Sequence, residues 1–152
     1  MTRYVIIMAG GTGIRMGSRI PKQFIKLEGR PVLIHTIERF YKFDPGINIV
    51  LVLAKDWHDE WKSLCSKHNF TIKHKLVEGG DERFYSVKNG LLACGSDAII
   101  AVHDAVRPLV SQSTIKTCFE IAESAGTAIP VIPTTESVRE IDTGGKESRP
   151  LD

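Results

Sequence analysis

Tyr4-Val5-Ile6-Ile7-Met8-Ala9 runs without a charge into Gly10-Gly11-Thr12-Gly13-Ile14-Arg15-Met16-Gly17. An apolar run this short, rich in isoleucine and valine and stopped by glycine, is the pattern of a strand covered on both faces, as in parallel sheets. Three glycines in four positions then let the backbone come close to a ligand and turn successive N–H groups toward anionic oxygens. A tight turn without a ligand is the plainer alternative. The loop is no P-loop, because no Gly-Lys-Ser/Thr follows. It also misses the dinucleotide G-x-G-x-x-G, because the gap before Gly17 is one residue too long.

Working outward, three more runs of the same kind occur at 47–54, 98–103 and 127–131. The segments between them carry apolar residues at helical spacing: 31–41 with Pro31 suited to an early helical position, 56–68, 83–93, and 113–125 with Ser111 or Ser113 as its cap. Strand and helix in alternation predict βαβ crossovers and a doubly wound, mostly parallel α/β sheet. Ligands of such sheets bind beyond the carboxyl ends of the strands, so chemistry is expected just after each apolar run. The polar stretch 135–152 breaks the pattern and predicts a hairpin around Thr143-Gly144-Gly145.

Bulk properties narrow the function. The 152 residues predict one domain, spanning 1–152, large enough for its own core. A net charge of +2, with basic residues scattered, gives no nucleic-acid-binding face. The short Lys73-His74-Lys75 run reads as a solvated strand edge. Cys65, Cys94 and Cys118 show no metal-ligand spacing and read as reduced, structural thiols. The N-terminal apolar run is too short for a leader or a membrane span, so a cytoplasmic protein with no membrane partner is expected.

Candidate chemistry lies where the topology predicts it. Arg15 within the glycine loop and Lys22 in Pro21-Lys22-Gln23-Phe24 flank the N–H donors of Ala9, Gly10, Gly11, Gly13 and Gly17. Such a loop suits a triphosphate whose leaving pyrophosphate gathers negative charge. Asp104 follows a buried run in Val102-His103-Asp104-Ala105-Val106-Arg107-Pro108 and needs a cation. Magnesium, which takes one or two carboxylates plus phosphate oxygens, is one answer; an ion pair with Arg107 is the other. His103 reads as structural, since phosphoryl-type transfer needs positioning more than a base. In Glu78-Gly79-Gly80-Asp81-Glu82-Arg83-Phe84-Tyr85-Ser86 a glycine turn enters a helix. Ordinary capping and a nucleobase site at the exposed backbone both fit.

Taken together, AGGTGIRMG–PKQF, GGDERFYSVKNGL and VHDAVRP, in this order and spacing, resemble the 2-C-methyl-D-erythritol 4-phosphate cytidylyltransferase family from Val5 to Asp152. The resemblance implies a Rossmann-like nucleotidyltransferase fold. It also implies cytidylyl transfer from CTP to a polyol phosphate, with a divalent cation such as Mg2+. By position it makes Arg15 and Lys22 the transition-state cations and gives Gly80, Asp81 and Ser86 to cytosine and ribose. Asp104 goes to the metal and ribose, and Arg107 and Ser137 to the acceptor, with Ser137 standing where the family has threonine. It implies a projecting arm at 137–148 and a homodimer. Family members continue past this length with an acceptor-binding arginine, a Thr-Pro-Gln segment and a second phosphate-binding lysine, so a domain incomplete at its C-terminus, with weak or absent catalysis, is expected. Ribitol-5-phosphate cytidylyltransferase shares the loop and the PKQF motif. A catalytically silent nucleotide-binding domain and a dinucleotide oxidoreductase are the readings from other classes.

Overall fold

The computed structural model of the chain describes residues 1–10, 20–133, 138–145 and 147–150. Its centre is a parallel sheet of four strands, β1 (Thr2–Ala9), β4 (Asn48–Leu53), β5 (Lys75–Glu78) and β6 (Ala98–Asp104), in the spatial order β5-β4-β1-β6. The short pair β2 (Lys26–Leu27) and β3 (Arg30–Pro31) precedes helix α1 (Val32–Phe43). Helices α2 (His58–Lys67), α3 (Arg83–Leu92) and α4 (Gln112–Ala125) complete the layers.

Side chains alternate along the strands and so build two cores. Val5, Ile7 and Ala9 of β1 join Ile49, Leu51 and Leu53 of β4 under α1, α2 and α4. Ile6, Met8, Val50 and Val52 point to the other face and meet Val87 of α3. Gly90 brings α3 down onto that face: a Cβ there would lie 2.7 Å from Ile6 Cγ2. Right-handed crossovers explain the sides. The chain moves outward from β1 through β4 to β5 over one face, then returns across β1 to β6 over the other. The reversal opens a crevice at the carboxyl ends of β1 and β6, where Met8 pairs with Asp104.

Helix bounds follow local chemistry. Pro31 occupies the N-cap of α1, one place before the first helical turn. Ser111 caps α4 by accepting from the Thr114 N–H at 3.0 Å, and Gly126 ends it at φ +87°. The stretch 56–68 divides into a 3-10 turn, Lys55–Trp57, and α2.

Two expectations need correction. The apolar run at 127–131 forms no strand: 127–133 has no regular structure, and Ile129, Val131 and Ile132 are exposed. Among the described residues β6 is paired by β1 alone, and a groove of about 470 Å³ lies between it, α4 and this run. A strand needs a ladder partner as well as a pattern, and among the described residues none adjoins this run. Conversely β5 is a strand that no long apolar run announced, being half-buried Leu76 and Val77 between exposed Lys75 and Glu78. The Lys73-His74-Lys75 run does lie at this sheet edge, but His74 is not solvated like its neighbours; its Nε2 accepts from Trp61 Nε1 at 2.9 Å.

The C-terminal hairpin is present as β7 (Arg139–Ile141) and β8 (Ser148–Pro150), antiparallel with Arg139 opposite Pro150 and every strand residue exposed. Gly145, at φ +68°, makes its turn. Among the described residues, no helix is long and apolar enough to cross a membrane.

Candidate nucleotide site

The crevice is built from four short segments, each pinned by a buried side chain. The end of β1 is tied to the PKQF segment: buried Gln23 donates from Nε2 to the Ala9 carbonyl at 2.9 Å. Phe24 stacks on Trp61 with 6.4 Å between centroids and meets Trp57 edge-on at 5.8 Å. Pro21, Gln23 and Phe24 are buried while Lys22 keeps partial exposure. The motif is therefore an anchor that presents one lysine.

Ser86 joins the next two segments. It is 3% exposed, and its Oγ accepts from the Gly80 N–H at 3.0 Å. A Cβ at Gly10 would stand 3.3 Å from that oxygen and one at Gly79 3.4 Å. The end of β1, the glycine turn and the start of α3 thus meet at one hydroxyl. Gly80 has no room for a side chain, since its Cβ would come within 2.4 Å of Tyr85 Cβ. Asp81 beside it is exposed.

The fourth segment follows β6. The Ala105 N–H extends the ladder to the Met8 carbonyl at 3.0 Å, and fully buried Thr36 of α1 donates to the Ala105 carbonyl at 2.7 Å. Arg39 Nε donates to the Pro108 carbonyl at 3.0 Å. His103 Nε2 bonds the Arg107 carbonyl at 3.0 Å, and its ring meets Phe40 edge-on at 5.0 Å. Burial pushes the His103 imidazole below its ordinary value, only partly opposed by that carbonyl and by Asp104, so the ring is a neutral donor bracing the loop.

Asp104, 28% exposed, receives Arg83 Nη2 on Oδ1 and Arg107 Nε on Oδ2, both at 2.9 Å. Burial pushes its carboxyl up, but the hydrogen bond and charge of Arg83, joined by Arg107, outweigh this and hold it below the usual range. The ion pair with Arg107 weighed from the sequence is present, with a second arginine added. Two guanidinium groups around one carboxylate leave a local excess of positive charge. The assembled crevice suits a polyanion.

The structure therefore brings Ala9, Gly10, Gly80, Ser86, Asp104 and Arg107 to one end of the sheet, with Lys22 on the anchor beside β1 and Asp81 on the glycine turn. Gly11, Gly13, Arg15, Gly17 and Ser137 lie outside the described residues. The sequence reading had no role for Gln23, Thr36, Arg39 or Arg83. Gln23 was visible inside PKQF, and Arg83 stood in the quoted glycine block. Thr36 and Arg39 sit one helical turn apart on α1, far along the chain from the loop they hold, so no local pattern marked them.

Comparisons with known proteins agree with this geometry. The family profile described as 2-C-methyl-D-erythritol 4-phosphate cytidylyltransferase matches residues 3–148. A protein of that name from Azobacteroides pseudotrichonymphae is 52% identical over 139 residues, covering 91% of this chain and 63% of its own length. One from Bacteroides thetaiotaomicron is 45% identical over 148 residues, covering 97% of this chain and 68% of its own. The chain thus spans about two thirds of the length of these curated relatives. Among solved structures, 4-diphosphocytidyl-2C-methyl-D-erythritol synthase from Anaerococcus prevotii superposes with a TM-score of 0.78 at 24% identity, over 99% of this chain and 67% of the other, and so shares the fold. With a profile match over nearly the whole chain and relatives at this identity, the chain belongs to the 2-C-methyl-D-erythritol 4-phosphate cytidylyltransferase family.

Proposed function

We propose that this chain serves cytidylyl transfer from CTP to 2-C-methyl-D-erythritol 4-phosphate, giving CDP-methylerythritol and pyrophosphate for isoprenoid synthesis. The observation that carries the reading is the meeting of the β1 end, the Ser86-tied glycine turn and the doubly bonded Asp104 at the switch point of the sheet. A phosphate oxygen of the acceptor attacks the α-phosphorus of CTP and pyrophosphate leaves, without a covalent enzyme intermediate. Lys22, with Arg15, offsets the charge that grows on the leaving group. The backbone around Gly80, with Asp81 and Ser86, holds cytosine and ribose, where a wrong base leaves polar groups unpaired. Arg107, with Ser137, meets the acceptor phosphate.

A divalent cation fits this donor set in one way. Among the described residues no cluster of three or more acidic, histidine or cysteine side chains gathers, so a cage made of protein alone is absent there. Asp104 offers a single carboxylate at the crevice, which suits magnesium brought in on phosphate oxygens. Bound there, magnesium would neutralise phosphate charge. A homodimer through the exposed β7–β8 arm belongs to the same reading, as does a cytoplasmic location. The latter is supported by Cys65, Cys94 and Cys118, all free thiols, with Cys65 pushed up by burial to about 11.

The test is pyrophosphate release from CTP and magnesium with methylerythritol phosphate and ribitol 5-phosphate side by side, using this chain and a form extended to the relatives' length. Preference for methylerythritol phosphate supports the proposal. Preference for ribitol 5-phosphate moves the assignment, and CTP binding with no transfer to either acceptor in the longer form leaves a silent nucleotide-binding domain.

A further inference from the structure

Arg83 is placed against local preference. It is the first residue of α3, where the helix dipole presents positive charge, and the first turn holds no acid. Glu82, at the cap position, makes no side-chain cap bond. A cation at such a helix start is unfavourable unless something outside the helix holds it, and departures of this kind gather at functional sites. What holds Arg83 is Asp104, on a strand 21 residues away in sequence. Arg107 takes the other oxygen of the same carboxylate from three residues away.

The exposures differ in a telling way. Asp104 is 28% exposed, whereas Arg83 is 67% and Arg107 73% exposed. The carboxylate is fixed by its strand and by the braced loop, while both guanidinium groups reach it from water and can leave with little desolvation. Each bond is charge-assisted, and together they engage one lone pair on each carboxylate oxygen. The cluster carries two positive charges against one negative, so it repels a free dication and attracts a polyphosphate.

We propose that Arg83 and Arg107 act as a resident counter-charge on Asp104, so that a divalent cation gains the carboxylate only when a nucleotide triphosphate draws the arginines away. This rests on the transferase reading above and adds an order of events to it. The carboxylate is capped in the empty protein; as the nucleotide enters, Arg83 turns to its phosphate oxygens and Arg107 is released for the acceptor phosphate, and the metal and nucleotide are taken up together. Arg83 here has two roles: in the empty protein it acts on the metal through Asp104, and with nucleotide bound it contacts the phosphates.

The test is binding of Mn2+ to this chain, read by water-proton relaxation, with and without CTP, in the wild type, Arg83→Gln, Arg83→Lys and Asp104→Asn. Metal alone should bind the wild type weakly, and CTP should strengthen it. Loss of one exposed guanidinium charge should tighten binding of metal alone by about threefold to tenfold in Arg83→Gln. Arg83→Lys, which keeps the charge without the planar fork, should fall between. In metal-free buffer Arg83→Gln should bind CTP more weakly. Asp104→Asn should abolish the gain when combined with Arg83→Gln. Metal binding equally tight with and without CTP, or unchanged or weakened in Arg83→Gln, overturns the proposal. If no variant binds CTP, the transferase reading fails, while the metal-alone comparison still decides whether Arg83 caps Asp104.

Discussion

Two apolar runs that look alike in sequence end in opposite states. Residues 98–103 become β6, pair with β1 along their length and lead into a loop held by Thr36, Arg39 and His103. Residues 127–131, which share alanine, isoleucine and valine but also carry Pro130, lie unpaired on the far side of a groove. Part of the difference is Pro130, which has no N–H to give a ladder. The rest is that β1 offers β6 a ladder and a helix layer, while nothing described stands beside 127–131. A β pattern states what a segment will do if a partner arrives.

The same substitution in a paired and an unpaired place tests this most directly. Ile7→Ala empties a fully buried position of β1 and should cost about 2–5 kcal/mol in urea unfolding. Ile129→Ala removes a side chain 80% exposed and should change stability by less than about 0.5 kcal/mol. A large loss at Ile129 would mean that the run is packed in solution after all.

Gly80→Ala sharpens the view of the braced crevice. Its new methyl would meet the Cβ and backbone of Tyr85, which cannot swing aside, so about 1–3 kcal/mol of strain is expected, together with weakened CTP binding by calorimetry. Unaltered stability and CTP affinity would show that the turn yields. Thr36→Val keeps shape but strips the Ala105 carbonyl of its donor in a dry setting. A loss of about 1–3 kcal/mol should be accompanied by displaced amide resonances from Asp104 to Pro108. Shifts confined to α1 would remove Thr36 from the site's support.

The smallest effect is a dependence on pH. Because His103 is held below its ordinary 6.5 by burial, the unfolded chain takes up a proton before the folded one does. Stability is therefore full above 6.5 and declines as pH falls from there toward the folded value. His103→Gln should flatten that decline in urea midpoints measured from pH 7.5 to 5. An equal slope in the variant would assign it to other groups. Asp104 adds a loss of the same direction at lower pH: its contribution is full above 3.8 and is lost as pH falls from there toward its lowered folded value.

Much of this was legible in the chain. The strand run ending at Ala9, glycines at Gly10 and Gly80, Lys22 in PKQF, and Asp104 with Arg107 after β6 could be read because each is a local pattern beside a strand end. Thr36, Arg39 and Gln23 were not legible as supports, since their roles consist of hydrogen bonds to carbonyls 69 and 14 residues distant. Strand β5 escaped because an edge strand buries too little to show a continuous run.

The sequence by itself determined the alternation of strand and helix, the side of the sheet on which chemistry gathers, and the residue types available there. Periodicity and glycine placement are properties of neighbours along the chain, and they survive without knowledge of contacts. Tertiary structure decided that 98–103 would pair with β1, and that Asp104 would be shared between Arg83 and Arg107. Both outcomes depend on segments that meet only after the crossovers have folded, and no local rule sees across them.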